Sequence, residues 1–245
     1  MSSAGIEWWL MVLQRVLNSI KYRALQAAIH RPKTDVDVEV VRHGSEYGGW
    51  VICPSSLRQD SIVYSLGVGE DVTFDLAMIE TYGLEVFAFD PTPKAVEWVE
   101  RHDLPESFRF FPWGVAVFNG EAMFQPPDNP EHASYRIDAH ASGGSLRLPV
   151  RRLGTIMAEL GHSRLDVLKM DIEGAEFEVI RDFLDSRIEI DQLVVEVHPQ
   201  RSYLFGRSWR LVRALKQAGF RLFAVSDRLC EYSFLHERRS DVFHG

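Results

Sequence analysis

LDVLKMDIEGAEFEVI, residues 165–180, carries the strongest signal of fold in this sequence. Its first half is a nearly apolar run that ends at Asp171, as expected for a strand buried on both faces. Its second half has the pattern of a helix that Glu173 opens, with Glu176 one turn along. Acidic residues in a first turn suit the helix dipole. The segment therefore predicts a strand that leads directly into a helix.

The same alternation of strand and helix continues on both sides of this segment. Short apolar runs are followed by segments with apolar residues at helical spacing, two of which close at Gly83 and Gly219. This order predicts an α/β fold with a mostly parallel sheet and helices on both faces. CEYSFLH (230–236) alternates and predicts a terminal antiparallel strand. The predicted strands are 61–66, 85–90, 110–117, 166–171, 192–198 and 220–226, and the predicted helices are 71–82, 93–102, 173–184 and 209–218.

Two internal segments depart from the alternation. VRHGSEYGGWVICP (41–54) predicts a short hairpin that turns at Gly48 and Gly49. Between Asn119 and Ser145 the regular pattern lapses, so we expect a long loop over the mouth of the sheet. Such a loop is either a lid over the substrate or an excursion on the surface.

The amino-terminal segment 1–40 is predicted to contain an amphipathic helix and a linker, followed by one domain at 41–245. Its longest uncharged run, Trp8 to Gln14, is far shorter than the roughly 20 residues that span a membrane. It also lacks the features of a signal peptide. We expect this helix to pack on the domain, with attachment to a membrane surface or formation of a homodimer as the alternatives.

The composition restricts the partners and the compartment. The chain has 35 acidic and 27 basic residues among 245, a net charge of −8. Because nucleic-acid binding needs Lys and Arg against phosphates, this charge predicts no nucleic-acid partner and argues against membrane association. Cys53 and Cys230 lie far apart and fit neither a disulfide framework nor a zinc site. They favour a reducing compartment, and we expect a cytoplasmic protein.

SLGVGED (65–71) connects a predicted strand to a helix and forms the first part of a predicted cofactor site. Its two glycines allow a tight turn and close approach of the backbone to a ligand. A dinucleotide fingerprint would need a third glycine where the chain has Val72, and acidic Glu70 and Asp71 occupy the place of a pyrophosphate. The loop therefore favours a phosphate-free, positively charged nucleoside such as S-adenosylmethionine (SAM). On its own, Asp71 also fits a helix N-cap.

Two more strand ends extend this cofactor site. Asp90 follows Gly67 by 90 − 67 = 23 residues, close to the roughly 20 expected for an acid that binds ribose hydroxyls. The alternative is an Asp that opens the DPTP turn. Trp113 could lie beside the adenine ring or pack in the core. The predicted cofactor-binding residues are Ser65, Leu66, Gly67, Val68, Gly69, Glu70, Asp71, Asp90, Pro91, Trp113, Gly114 and Asp171.

Acidic residues and a histidine meet at the ends of two later strands. VVEVHPQ (194–200) has Glu196 and His198 two residues apart, so both lie on one face of a strand. A histidine here is a natural general base near neutral pH, and Asp171 can accept a proton or orient a hydroxyl. These three residues could also hold Mg²⁺ or another divalent ion, and His198 could instead be structural. The predicted catalytic residues are Asp171, Glu173, Glu196 and His198, and no metal ligand is assigned.

These motifs resemble the FkbM-type SAM-dependent methyltransferases. The run at 165–180 resembles the family signature in which a strand ends in K-x-D-[IV]-E-G-x-E. YSLGVGEDVTFD (64–75), FAFDPTP (87–93) and VVEVH (194–198) resemble other blocks of the family, and the similarity spans roughly residues 45–235. The resemblance implies a Rossmann-like class I methyltransferase fold, SAM as cofactor and methylation of hydroxyl oxygens on small molecules or sugars.

The resemblance also assigns residues to this chemistry. It implies Gly67, Gly69 and Asp90 at SAM, and Asp171, Glu173 and His198 near the transferred methyl. We expect an in-line transfer to a substrate hydroxyl, with His198 or Asp171 removing the proton. Two other functions stay open, a non-catalytic module with this fold and, against the evidence of Val72, a dinucleotide-dependent oxidoreductase.

Overall fold

The computed structural model describes residues 32–127, 135–137, 144–198 and 205–243. The predicted amino-terminal helix lies outside these residues, as does part of the predicted loop at 119–145. The described helices are α1 (Thr73–Tyr82), α2 (Pro93–Arg101), α3 (Leu153–Leu160), α4 (Glu176–Asp185) and α5 (Phe205–Gln217). The described strands are β1 (Val41–His43), β2 (Trp50–Ile52), β3 (Ile62–Leu66), β4 (Glu85–Phe89), β5 (Phe108–Phe111), β6 (Gly114–Val115), β7 (Gly120–Gln125), β8 (Arg136–Ile137), β9 (Leu146–Arg151), β10 (Arg164–Met170), β11 (Glu189–Glu196), β12 (Phe220–Val225) and β13 (Glu231–His236).

Seven strands form the central sheet in the order β12–β13–β11–β10–β3–β4–β5. The pairs β11–β10, β10–β3, β3–β4 and β4–β5 are parallel. β13 is antiparallel to both of its neighbours. The predictions of a mostly parallel sheet and of a terminal antiparallel strand are therefore confirmed. The chain runs outward from β3 to β5 and later resumes on the other side of β3 with β10, so the sheet has a topological switch point between β3 and β10.

Helices cover both faces of this sheet, as the sequence predicts. Successive strand residues point to opposite faces, so one strand serves two cores. Leu168 of β10 packs in a cluster with residues of α3, α4 and α5. Its neighbour Val167 packs on the other face with α1 and with the β1–β2 hairpin. This hairpin is antiparallel and confirms the prediction for 41–54.

A second sheet of four strands, in the order β6–β9–β7–β8, corrects two predictions. The predicted strand at 110–117 is two strands of different sheets, because Pro112 has no N–H to donate and the chain turns where the Trp113 N–H bonds the Phe111 carbonyl at 2.8 Å. The predicted loop at 119–145 contains β7 and β8. The alternating burial of Ala122 and Phe124 explains this strand. Strand β9 and helix α3 are not among the elements predicted from the sequence.

The turn before α4 corrects a third prediction, because Glu173 does not open the helix. Glu173 and Gly174 have φ of 53° and 108°, values that a right-handed helix excludes. The helix begins at Glu176 instead. The left-handed turn keeps Glu173 at the edge of the sheet, beside the end of β10. Within the described residues, no helix combines the length and apolar character needed to cross a membrane.

Candidate functional site

A cavity of about 400 Å³ lies where β3, β4, β10 and β11 end, at the switch point of the sheet. Open α/β sheets bind their ligands at this place, because the carboxyl ends of the strands diverge there. Most of the predicted site residues line it: Leu66, Gly67, Val68, Gly69, Glu70, Asp71, Asp90, Pro91, Gly114, Asp171, Glu173, Glu196 and His198. The described residues of this region therefore bring the two predicted groups, cofactor-binding and catalytic, into one cavity.

The glycine turn after β3 packs directly against the end of β10. Gly67 and Gly69 have φ of 72° and 55°, in the left-handed region that favours glycine. A Cβ on Gly67 would lie 1.7 Å from the carbonyl oxygen of Asp171. The Asp171 N–H in turn donates to the Leu66 carbonyl at 3.0 Å. Only glycine therefore allows this turn to touch the backbone at the predicted catalytic end of the sheet.

Asp90 links the glycine turn to the loop after β4. One carboxylate oxygen accepts from the Gly69 N–H at 3.0 Å. The other accepts from the Thr92 N–H at 2.8 Å and from the Thr92 hydroxyl at 2.6 Å. These bonds explain why a carboxylate that is only 5% exposed is tolerated at the cavity wall. A carboxylate has about four lone-pair sites, so Asp90 retains capacity to accept from a ligand.

Asp71 connects the β1–β2 hairpin to the glycine turn through hydrogen bonds. Its carboxylate accepts from the Ser45 hydroxyl at 2.6 Å and from the Thr73 N–H and hydroxyl at 3.0 and 2.5 Å. Burial alone would raise the pKa of Asp71, but these hydrogen bonds lower it below its usual value. The hairpin residues Tyr47 and Gly48 consequently line the cavity next to Asp71.

Two predicted cofactor residues, Ser65 and Trp113, do not line the cavity. Ser65 is fully buried within β3, before the strand reaches the edge of the sheet. The indole of Trp113 packs on Phe111, with ring centroids 5.0 Å apart. The Arg151 guanidinium lies 4.1 Å from the centroid of the same indole. Trp113 therefore packs against the core cluster, which is the alternative that the sequence left open for it.

His198 lies at the centre of four carboxylates. Its Nδ1 lies 2.9 Å from a carboxylate oxygen of Glu176. Its Nε2 lies 3.8, 3.6 and 3.7 Å from carboxylate oxygens of Asp171, Glu173 and Glu196. Glu176 has no exposed surface and also accepts from the Gly174 N–H at 3.0 Å, so its position is well defined. An imidazole in this setting attracts a proton.

The titration of His198 follows from this arrangement. Burial acts to lower the pKa of His198, but the hydrogen bond and the charge of Glu176 outweigh burial and raise the pKa to about 9. The charges of Glu173 and Asp171 act in the same direction. The side chain is therefore an imidazolium near neutral pH.

The pKa of Asp171 is also raised, but for a different reason. Burial raises the pKa of Asp171 to about 7, with a lowering contribution from Lys169 and a raising one from Glu196. The side chain keeps 31% of its surface exposed, whereas its Oδ1 is buried and accepts no hydrogen bond from the described residues. A carboxyl group with a pKa close to physiological pH at a cavity wall has the properties of a proton-transfer group.

Lys169 also lines the cavity, and the sequence analysis did not assign it to the site. It lies two residues before Asp171 on β10 and is only 5% exposed. Its Nζ donates to the carbonyls of Gly67 at 2.5 Å and Leu66 at 3.5 Å. The signal that could have found it is a lysine inside an otherwise apolar strand, because a buried ammonium needs polar partners.

Asp171, Glu196 and His198 lie close enough to hold a metal ion, with donor atoms within 4.8 Å of one another. Two cationic side chains, however, already balance the negative charge of these carboxylates. The Arg228 guanidinium lies 3.2 Å from Glu196, and the raised pKa of His198 supplies a second cation. A metal ion would have to displace the proton of that imidazolium. We assign no metal to this cluster.

The family model for the methyltransferase FkbM domain matches residues 14–222 of the chain. A human protein named Probable methyltransferase-like protein 24 is 30% identical over 173 residues, which are 66% of this chain and 41% of the human protein. The AMB antimetabolite synthetase AmbE of Pseudomonas aeruginosa is 35% identical over 98 residues, 39% of this chain and 4% of that protein. The chain thus spans about two-fifths of the length of the human relative.

Solved structures give more distant matches. An rRNA methylase from Streptococcus thermophilus aligns with a TM-score of 0.42 and 14% identity, over 74% of this chain and 87% of that one. The N-terminal domain of human METTL16 in complex with SAH aligns with a TM-score of 0.40 and 12% identity, over 71% of this chain and 60% of that one. Alignments at these scores say nothing about the substrate of the present chain.

Proposed function

Because this chain belongs to the methyltransferase FkbM domain family, we propose that it transfers a methyl group from SAM to a hydroxyl of a small molecule or sugar. The fold is the class I methyltransferase fold. The observation that supports the proposal most directly is the cavity at the switch point, which the glycine turn, Asp90 and Asp171 all line. Because the family is one of methyltransferases, we no longer consider the alternative function of a dinucleotide-dependent oxidoreductase.

The charges of the cavity fit this cofactor. SAM supplies a methyl group bound to a positively charged sulfonium and carries no phosphate. Seven carboxylates line the described cavity, against three basic side chains. The buried Oδ1 of Asp171, which has no hydrogen-bond partner among the described residues, adds an acceptor that a cationic or hydroxyl-bearing ligand satisfies. Asp90 is the residue proposed to accept from the ribose hydroxyls.

The proposed proton acceptor is Asp171 and not His198. With a pKa of about 7, Asp171 is substantially ionised near neutral pH and can take the proton of the acceptor hydroxyl. His198, with a pKa of about 9, is protonated there and has no lone pair to offer. Its proposed role is to hold Asp171 and Glu173 in position from its anchor on Glu176.

The remaining wall of the cavity suits an organic acceptor without negative charge. The second sheet contributes the side chains of Phe124 and Ile137, and Tyr135, which precedes β8, lies beside them. The carboxylates near His198 would repel an acceptor that carries a carboxylate or phosphate of its own. A neutral ring or chain that carries a hydroxyl can pack against the apolar wall and is not repelled by the carboxylates. Much of the acceleration would then come from alignment of that hydroxyl in the cavity.

Calorimetry with S-adenosylhomocysteine tests the cofactor. We expect binding by the wild-type chain and a Kd raised about 10-fold to 100-fold in Asp90→Ala, the usual cost of losing a charged hydrogen-bond partner. Asp103→Ala, at an exposed aspartate after α2, is the matched control and should bind as wild type does. Absence of binding by the wild-type chain would contradict the proposed cofactor.

Turnover separates an enzyme from a non-catalytic module. The chain is incubated with SAM carrying a labelled methyl group and with a small-molecule extract, and labelled products are characterised by NMR. We expect a methyl group on oxygen. Cofactor binding without any labelled product would favour the non-catalytic module, and a methyl group on nitrogen would contradict the proposed acceptor.

A further inference from the structure

We propose that Lys169 binds the carboxylate of the cofactor's amino-acid portion, an inference that rests on SAM as the cofactor. That portion carries one ammonium and one carboxylate. The ammonium has many partners in a cavity lined by seven carboxylates. The carboxylate needs a cation in the same cavity, and the described lining offers Lys169, His198 and Arg228.

Two of these cations are already neutralised by carboxylates of the protein. Arg228 lies 3.2 Å from Glu196 and 3.7 Å from Glu231. His198 lies between four carboxylates at 2.9–3.8 Å. A ligand carboxylate brought to either position would meet more negative than positive charge.

Lys169 has a different environment. Among the described residues, no carboxylate lies within ion-pair distance of its Nζ, and its two hydrogen-bond acceptors are the neutral carbonyls of Leu66 and Gly67. An ammonium has three N–H donors, so these carbonyls leave one donor for a ligand. The Trp50 ring, with its centroid 5.7 Å from Nζ, adds only a weak cation–π contact. The charges of Asp71, Asp75 and Asp171 act on this ammonium from beyond ion-pair distance. A buried ammonium without a direct ion-pair partner is costly, and a ligand carboxylate in contact with Nζ lowers that cost.

The location of Lys169 also matches this role. Its Nζ lies under the glycine turn, and residue 169 pairs with Ser65 in the parallel register of β10 and β3. In a ligand whose ribose is bound at Asp90 and whose methyl group faces Asp171, the amino-acid chain leaves the sulfur by its third bond, and we place that chain along the glycine turn, toward Nζ.

A pair of ligands that differ by one carboxylate tests the inference. S-Adenosylhomocysteine is compared with its decarboxylated form, S-adenosyl-3-thiopropylamine, which retains the ammonium. For the full wild-type chain, calorimetry should give a preference of about 10-fold to 100-fold for the carboxylate-bearing ligand, the range for a charged hydrogen bond. In Lys169→Met the two Kd values should become similar, with the Kd of the decarboxylated ligand unchanged or lower.

Lys94→Met is the matched control. Lys94 lies 4.0 Å from Glu70 of the glycine turn but does not line the cavity, so this variant should keep the wild-type preference. Lys169→Arg, which keeps the charge, should keep part of it. If Lys169→Met does not fold, Lys169→Met combined with Asp75→Asn removes the buried charge together with a buried aspartate whose pKa Lys169 lowers, and the same ratio is measured.

The outcomes distinguish this inference from the proposed function. A wild-type preference that persists in Lys169→Met would overturn the role of Lys169, as would an equal loss of affinity for both ligands, which indicates a structural effect. Loss of the preference in Lys94→Met alone would move the role to that residue. If the wild-type chain binds neither ligand, the SAM cofactor itself is wrong, and the inference fails with it.

Discussion

Asp171 and His198 acquire their chemistry from the charges around them. Both residue types are common proton acceptors, and the sequence analysis left either one as the base. Burial gives the carboxyl group a pKa of about 7, whereas the carboxylates around the imidazole raise its pKa to about 9. In the proposed mechanism, Asp171 accordingly accepts the proton, and the His198 imidazolium holds the neighbouring carboxylates in position. This division depends on Glu176, whose distance from His198 the sequence does not reveal.

Asp171→Asn should lower turnover and raise stability. Loss of a general base typically costs about 10²- to 10⁴-fold in rate. The folded state holds the proton of Asp171 more tightly than the unfolded state, so the stability that this proton contributes is lost as pH rises from the unfolded value of 3.8 through about 7. The asparagine variant should therefore unfold at a higher temperature than wild type at pH 8, with a smaller difference at pH 5. Unchanged turnover at pH 8 would remove the proposed base.

His198→Gln should lower the free energy of unfolding, and this loss should shrink as pH rises. The folded-state pKa of about 9 exceeds the ordinary value of 6.5, so the charged imidazole stabilises the fold fully below pH 6.5 and loses this effect as pH rises through 9. Urea unfolding should give the largest stability loss near pH 6.5 and a smaller loss above pH 9. In a Glu176→Gln background the same substitution should cost less. A loss that does not change between these pH values would contradict the ion pair.

At the level of elements, the turn between β3 and α1 is the most constrained part of the site. It combines left-handed backbone at Gly67 with direct contact to the end of β10. The sequence predicted the turn correctly, because glycine spacing is a local signal. The contact that forbids a side chain comes from a strand about 100 residues later in the chain and has no local signal.

Gly67→Ala should therefore cost much more than an ordinary left-handed glycine. Gly83 closes α1 with φ of 68°, and a Cβ there meets nothing within 4 Å. Gly83→Ala should cost about 1–2 kcal/mol, the penalty for left-handed backbone alone. Gly67→Ala adds overlap with a backbone oxygen and should lose several kcal/mol more by urea unfolding, or fail to fold. Equal costs for the two variants would show that the turn can move away from β10.

The predicted and observed elements differ where the local sequence pattern is compatible with two structures. The acidic residues Glu173 and Glu176 are compatible with a helix that begins at either position. The left-handed backbone of Glu173 excludes the earlier start, so the helix begins at Glu176. The strand at 110–117 reads as one apolar run, but Pro112 interrupts its hydrogen bonding. β7 and β8 form a sheet with strands distant in sequence, so their pairing has no short-range signature.

Across the whole molecule, the described residues before β1 belong to the packed structure. The backbone N–H of Asp35 donates to the Leu222 carbonyl at 2.6 Å, and its carboxylate accepts from the Leu222 N–H at 2.9 Å. The same carboxylate pairs with Lys216 at 2.7 Å. These bonds satisfy backbone groups of β12, the edge strand of the central sheet, which would otherwise be open to pairing with another chain.

Asp35→Ala should lower the free energy of unfolding by about 1–3 kcal/mol, because it leaves the edge-strand N–H without its acceptor and removes the partner of Lys216. Asp37→Ala, two residues along on an exposed side chain, is the control and should stay within about 0.5 kcal/mol of wild type. Chemical denaturation of both variants measures the difference. An Asp35→Ala variant as stable as the control would mean that the contact with β12 adds nothing in solution.

The alternation of strands and helices in the central sheet, the glycine turn and the acids at the strand ends follow from the amino-acid sequence, because apolar periodicity, glycine positions and motif spacing are local properties of the chain. The partners of His198, the position of the Lys169 ammonium under the glycine turn and the packing of Trp113 on Phe111 and Arg151 follow from the folded arrangement alone. The position of Lys169 depends on contact between β3 and β10, whose residues lie about 100 apart in the chain. The partners of His198 come from the ends of β10 and β11 and the start of α4, and Trp113 contacts Phe111 and Arg151. Electrostatic interactions depend on the distances between these groups, so the chemistry of the site emerges at the level of packing.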